Sequence, residues 1–129
     1  MRVLVALGGN AILQPGQRGV AAEQRENVQK TVEQIVRMIR ASHEVVITHG
    51  NGPQVGAILI QNELGSAKVP AMPMDLCGAE SQGLIGYMFC QSLENTMRRE
   101  GIEGREPVCL VTRVEVNPDD PAFSRKFYR

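Results

Sequence analysis

The stretch that decides the fold is His43-Glu44-Val45-Val46-Ile47-Thr48-His49-Gly50-Asn51-Gly52-Pro53-Gln54-Val55-Gly56. From His43 to Thr48 it is rich in β-branched residues and reads as a strand. Gly50-Asn51-Gly52 then forms a loop, and Pro53 suits the first turn of a helix, where its missing N–H would have had no partner anyway. The same order of strand, glycine loop and helix occurs at the start of the chain. Arg2-Val3-Leu4-Val5-Ala6-Leu7 is short and apolar and ends at Gly8-Gly9-Asn10. It is expected to be a central strand buried on both faces. Repeated strand-to-helix units make a parallel sheet, so the fold class is α/β.

The segments between these landmarks complete the pattern. Leu13 to Gly19, with Pro15, Gly16 and Gly19, cannot hold a regular element and is expected to be a loop. From about Ala21 to Ser42 the apolar residues Val28, Val32, Ile35, Val36 and Ile39 recur at intervals of three and four, the mark of an amphipathic helix lying on a sheet. The helix opened by Pro53 should run to about Leu64, stopped by Gly65. A longer one, capped by Asp75, should reach Glu100 before Gly101. Val108 to Thr112 is expected to form a last strand, which Val114 and Val116 could extend, before Asn117-Pro118-Asp119-Asp120-Pro121 breaks it. No closing element follows, and the chain reads as part of a larger protein.

Composition narrows the functions. The 129 residues carry 14 Lys+Arg against 14 Asp+Glu, so no basic surplus exists to neutralise a nucleic-acid backbone. No apolar run approaches the ~20 residues of a membrane helix, and the start is too short for a signal peptide, so the expected location is the cytoplasm. Cys77, Cys90 and Cys109 are an odd, widely spaced set that fits reduced thiols better than a disulfide framework or a metal knuckle. His43 and His49 lack neighbouring ligands and make no metal site. His49 is expected to support the glycine loop, and His43 to lie at the surface or in a cap.

In an open parallel sheet the loops after the strands line the ligand crevice, and here those loops are Gly8-Gly9-Asn10 and Gly50-Asn51-Gly52. Glycine lets backbone N–H groups approach an anion, each following helix adds the positive end of its dipole, and Asn10 and Asn51 add neutral donors. The ligand class this implies is a small anion such as a phosphate, and the chemistry it suits is phosphoryl transfer. Two ordinary tight turns are the alternative. There is no GxxxxGK[ST] phosphate loop, and the glycine spacing from Gly50 to Gly56 has one residue too many for the dinucleotide fingerprint. A dinucleotide-dependent oxidoreductase stands as a weaker rival. On the third helix Ser81 and Gln82 can face the crevice, Gly78, Gly83 and Gly86 suggest close backbone packing, and Cys77 is read as a buried packing residue. Met72 and Met74, flanking Pro73, are expected to fill core.

Ala6-Leu7-Gly8-Gly9-Asn10-Ala11 and Thr48-His49-Gly50-Asn51-Gly52-Pro53-Gln54-Val55-Gly56 resemble the two substrate loops of carbamate kinase, in the amino-acid kinase family. Asp75-Leu76-Cys77-Gly78-Ala79-Glu80-Ser81-Gln82-Gly83-Leu84-Ile85-Gly86-Tyr87 and Asp120-Pro121-Ala122-Phe123 resemble later motifs of that family, so the likeness spans the whole chain. The resemblance implies an αβα sandwich, incomplete at its C-terminus. Residues 1–129 would form the N-terminal carbamoyl-phosphate-binding portion, and the nucleotide-binding portion would be absent from the chain. It also implies reversible phosphoryl transfer between carbamoyl phosphate and ADP, giving ATP and carbamate, with Mg2+ carried by the nucleotide, in a cytosolic homodimer.

In that picture Gly8, Gly9 and Asn10 hold the transferring phosphoryl group. Gly50, Asn51 and Gly52 hold the carbamate side and the same phosphate, and Gly9, Asn10 and Asn51 are the catalytic set. The family's lysine loop after Asp-Pro-Ala-Phe has no counterpart between Phe123 and Phe127. Lys30 falls on a helix face, Lys68 in a loop, and Lys126 does not match the motif. The chain alone is therefore expected to be inactive, and a non-catalytic anion-binding remnant of the same fold is the principal alternative.

Overall fold

A computed structural model describes residues 1–124. Lys126, with its neighbours Arg125, Phe127, Tyr128 and Arg129, lies outside the described residues. Strand β1 (Arg2–Leu7), helix α1 (Ala21–Arg40), strand β2 (Glu44–His49), helix α2 (Gly52–Gly65) and helix α3 (Met74–Arg99) follow in order, with 3-10 turns at Gly9–Ala11 and Pro121–Ser124. The two strands pair in parallel from Arg2 opposite Glu44 to Leu7 opposite His49, the α1 crossover supplying the length that a parallel connection needs. The parallel α/β arrangement read from the sequence is present.

The amphipathic stripe of α1 does what its period predicts. Val28, Val32, Ile35 and Val36 are buried against Ile85, Met88, Phe89, Leu93 and Met97 of α3, and Leu7, Val45 and Ile47 of the sheet pack on the same cluster. Glu23, in the first turn of α1, reaches back to accept hydrogen bonds from the N–H groups of Gly19 (2.8 Å) and Val20 (3.2 Å). Two donors at that helix start are thereby satisfied.

Helix α3 ends in a Schellman arrangement. The Gly101 N–H donates to the Arg98 carbonyl (3.1 Å) and the Ile102 N–H to the Met97 carbonyl (2.9 Å). Gly101 takes the left-handed φ of 67° that this closure demands, and Ile102 packs back onto the core.

Four expectations are corrected. The strands are not buried on both faces: half-buried and exposed residues alternate along each, and Leu4 (66% exposed) and Val46 (47%) stand on an open face. Among the described residues the core covers the other face alone, which is why the burial has period two. Asp75 does not cap α3. Pro73 does, in extended conformation, and its carbonyl accepts the Cys77 N–H (3.0 Å), so Asp75 falls inside the first turn. There it still favours the positive helix end. Met72 and Met74, expected in the core, are 41% and 58% exposed, Met72 in the connection between α2 and α3 and Met74 at the first position of α3.

The fourth correction concerns residues 108–112, which form no strand. A strand needs a ladder, and here the backbone of Thr112 is held instead by a side chain. Its N–H donates to Gln82 Oε1 (2.8 Å) and its carbonyl accepts from Gln82 Nε2 (3.4 Å). Cys109 meanwhile packs on Gly86 of α3. A groove of about 430 Å³, lined by Val45 to His49, Phe89, Cys90 and Cys109, separates this segment from the free edge of β2.

Candidate functional site

Both glycine loops leave the sheet at the carboxyl ends of their strands. The Gly50 N–H donates to the Leu7 carbonyl (3.1 Å), extending the ladder by one bond, so the loops start side by side. After β1 the chain turns at once: the Ala11 N–H bonds the Gly8 carbonyl (3.0 Å), the Ile12 N–H (3.1 Å) and the Leu13 N–H (2.9 Å) bond the Gly9 carbonyl, and Ile12 is fully buried. That anchor leaves Asn10 exposed at the tip. After β2 the helix α2 begins directly, with Asn51 as its N-cap and Pro53 in its first turn. A Cβ added at Gly9 would lie 4.0 Å from both Cγ and Cδ of Pro53, so the two loops face each other at van der Waals range.

The backbone angles of the loop glycines set them apart from the turn glycines of this chain. Positive φ, the usual reason for glycine in a turn, occurs at Gly16, Gly19, Gly101 and Gly104, and not at Gly8, Gly9, Gly50 or Gly52. A Cβ at Gly8, Gly50 or Gly52 would meet nothing within 4 Å. Among the described residues neither a positive φ nor a packing contact requires glycine at these positions, as is also true of Gly56, Gly78 and Gly83 within helices. Without side chains at Gly8 and Gly52 the loop backbone is open there, while the Gly50 N–H is committed to the Leu7 carbonyl.

Helix α2 points its N-terminal end into this place, and its first N–H groups have no acceptor within the helix. The expectation that each loop would be followed by a helix dipole holds only here. Gly9 and Asn10 are themselves in the 3-10 turn Gly9–Ala11, a loop follows, and α1 starts only at Ala21 with Glu23 already occupying its N-terminus.

Neighbouring side chains fix the second loop. His49 lies with Nδ1 3.1 Å from the Gly50 carbonyl, a bond that requires the Nδ1–H tautomer and makes His49 a loop support. The Asn51 amide makes no cap on α2; its Nδ2 donates to Ser81 Oγ (2.7 Å) on α3. Gln54, 4% exposed, donates from Nε2 to Gln24 Oε1 (3.3 Å), and Gln24 Nε2 donates to the Gly19 carbonyl (2.6 Å), so the first turn of α2 is tied to the start of α1. Sequence reading gave Gln54 no role. The sequence carries no signal for its burial, since its partner lies 30 positions away.

Other candidates resolve simply. Cys77 is buried, with its thiol donating to the Met72 carbonyl (3.5 Å), and burial pushes its pKa up, which fits a packing residue and not a reactive one. Of the three helix glycines only Gly86 makes a close approach, to Cys109; nothing lies within 4 Å of a Cβ at Gly78 or Gly83. Lys30 pairs with Glu26 on the outer face of α1 (2.6 Å), and Lys68 is exposed beyond α2. Among the described residues no group of three His, Cys, Asp or Glu could hold a metal ion, and no helix is long and apolar enough to cross a membrane.

A parallel pair of strands with glycine loops at its carboxyl edge, and a helix N-terminus beside them, defines an α/β protein of the parallel-sheet class. The family described as "Amino acid kinase family" matches residues 1–102, and the chain belongs to it. Within that family the chain is similar to carbamate kinases. It is 53% identical to the carbamate kinase of Pyrococcus horikoshii over 124 residues, which is 95% of this chain and 39% of that protein. It is 51% identical to the carbamate kinase of Pyrococcus furiosus over the same shares. The structure of carbamate kinase from Giardia lamblia bound to AMP-PNP superposes with a TM-score of 0.82 at 44% identity, covering 95% of this chain and 43% of that one. The chain thus spans about two fifths of the length of the relatives it matches.

Proposed function

We propose that residues 1–129 are the carbamoyl-phosphate-binding portion of a carbamate kinase, an enzyme that moves a phosphoryl group reversibly between carbamoyl phosphate and ADP. The observation that carries this reading is the set of glycines at 8, 50 and 52, which no local φ or packing contact requires, opposed across Gly9 and Pro53 at the mouth of α2. The likeness to carbamate kinases supplies the substrate.

In this reading the backbone N–H groups of Gly9 and Asn10 and the first turn of α2 bind the phosphoryl oxygens, with the Asn10 amide beside them. Gly50, Asn51 and Gly52 hold the acyl side, and Gly8 keeps the approach open. The bond between phosphorus and the acyl oxygen breaks, and one forms to the terminal phosphate oxygen of ADP. The attacking ADP oxygen is already anionic, so no general base is needed, and the acyl oxygen leaves as the carbamate anion, so no general acid is needed either. Catalysis of this kind rests on positioning and charge neutralisation.

Magnesium does not fit the cradle as a directly ligated ion, because the groups gathered there are N–H and amide groups without a carboxylate. It belongs with the nucleotide, whose binding this reading assigns to the remainder of a longer enzyme. The whole enzyme is a cytoplasmic homodimer in this reading, and the exposed apolar residues Leu64, Met72, Met74, Leu76, Leu84 and Tyr87 along α2 and α3 suit a subunit contact.

A backbone amide NMR titration of the chain with carbamoyl phosphate tests the reading. Saturable shifts at Gly8, Gly9, Gly50 and Gly52, with Gly101 and Gly104 still, are expected; a folded spectrum without them overturns it. One observation favours the non-catalytic anion binder for the chain by itself: Lys30 is engaged with Glu26 on the far side of α1 and brings no charge to the cradle. The dinucleotide oxidoreductase gains nothing, since the family match is to kinases.

A further inference from the structure

Asn51 occupies the position where asparagine ordinarily turns its side chain back to cap a helix, and it makes no such bond. Its Nδ2 donates instead to Ser81 Oγ at 2.7 Å, and Ser81 Oγ donates to the Gly78 carbonyl at 2.6 Å. Ser81 is fully buried. A hydroxyl has one hydrogen to give, and Ser81 has given it to Gly78, so toward Asn51 its oxygen can only accept. The amide of Asn51 is therefore held with its nitrogen toward α3. Two things follow. The first-turn N–H groups of α2 stay uncapped, and Asn51 Oδ1, which accepts no hydrogen bond among the described residues, is the acceptor left over.

Resting on the reading that Gly50, Asn51 and Gly52 hold the acyl side, we propose that Ser81 is a positioning residue for substrate selection. It keeps the Asn51 amide from closing over α2, and it leaves Oδ1 to accept an N–H from the carbamoyl amino group. Acetyl phosphate carries a methyl group where carbamoyl phosphate carries that amino group. A site built to hydrogen-bond an N–H discriminates strongly against an analogue that lacks it, because its own polar atom is then left unpaired. Inorganic phosphate, which has no acyl group, reads the N–H cradle alone.

The test uses the isotope-labelled 129-residue chain. Without ligand, nuclear Overhauser contacts are expected from the Asn51 Nδ2 hydrogens to the Ser81 Hβ; contacts to the Gln54 backbone N–H instead, the capped geometry, would overturn the proposal. Titrations then compare carbamoyl phosphate, acetyl phosphate and inorganic phosphate on the unaltered chain and on Ser81→Ala. Carbamoyl phosphate should be preferred over acetyl phosphate. Ser81→Ala should lower that preference roughly tenfold, the worth of about one hydrogen bond, with inorganic phosphate binding unchanged or weakened through a restored cap. Ser81→Cys, close in size, carries the same comparison should the alanine variant unfold. Equal affinity for the two acyl phosphates, or an unchanged preference in a folded variant, sinks this proposal and leaves the acyl-phosphate reading standing. An unaltered chain that binds inorganic phosphate and neither acyl phosphate sinks both.

Discussion

Gly9 faces the ring of Pro53 across a gap that one methyl group would close, a Cβ at residue 9 reaching 4.0 Å from the proline carbons. Gly9 follows β1 and Pro53 opens α2 after β2, so in the proposed reading the gap is the space between the two halves of the cradle. Alanine fits there at ordinary contact distance, and no positive φ is disturbed. Gly9→Ala should therefore leave stability within about 0.5 kcal/mol, as surface changes do. It should cost at least roughly tenfold in phosphate affinity, because the methyl group stands where an oxygen would approach the N–H groups. Thermal melts beside a phosphate titration check this, and a variant that binds as well as the parent refutes the placement of the anion.

Much of this arrangement was legible in the sequence, for identifiable reasons. The period of Val28, Val32, Ile35 and Val36 located α1, and the glycine after each strand located the loops, since both are local signals. The 108–112 strand was misread because Val108, Leu110 and Val111 have strand-like side chains, whereas strand formation depends on a ladder partner that composition does not reveal. Burial on both faces was inferred for Arg2–Leu7 from its apolar content, but a face is buried only by what packs on it, and among the described residues Leu4 stays 66% exposed. Within the site, glycine positions could be read, while the bonds from Asn51 to Ser81 and from Gln54 to Gln24 could not. Each joins residues 30 apart that meet only once the sheet and helices are assembled.

Gly86 and Cys109 form a second close pair, where the 107–110 segment rests on α3. The sulfur of Cys109 sits where a side chain at residue 86 would be, closer than any real Cβ contact allows. Gly86→Ala should gain up to about 1 kcal/mol of helix propensity and lose the docking of residues 107–110, so the melting temperature should move little. The readout is the half-buried thiol beside this segment: Cys90 should be alkylated several-fold faster, with buried Cys77 unchanged. Equal rates in parent and variant would show that the segment does not rest on this contact.

Cys77 and Cys90 both have thiols pushed above their ordinary range, in each case chiefly by burial, with nearby Glu80 adding for Cys77 and Cys109 adding for Cys90. A raised folded pKa means that the folded chain holds these protons more tightly than the unfolded chain. Their contribution is thus fully present below the ordinary thiol pKa of about 8.5 and is lost as pH climbs from there through the folded values. Urea unfolding under reducing conditions should show stability falling from pH 8 to pH 10, and Cys77→Ala should flatten that fall. Unchanged pH dependence in the variant would remove Cys77 as its source.

The last prediction concerns turnover. Phosphoryl transfer needs positive charge on the migrating group as well as a cradle of neutral donors. Of the cations named as candidates, Lys30 is bound to Glu26 in the outer face of α1, and Lys68 stands exposed past the end of α2. The N–H groups at Gly9, Asn10 and the start of α2 can orient a phosphate, but with no free lysine at the cradle among the described residues they cannot offset the charge that ADP brings. We expect no ATP from carbamoyl phosphate and ADP with this chain, even with magnesium at millimolar concentration, while carbamoyl phosphate still shifts the glycine amides. Luminescent detection of ATP against a no-protein control decides it. Production above that control would place a sufficient cation and a nucleotide site within these 129 residues, and the assignment of nucleotide binding to a longer enzyme would fall.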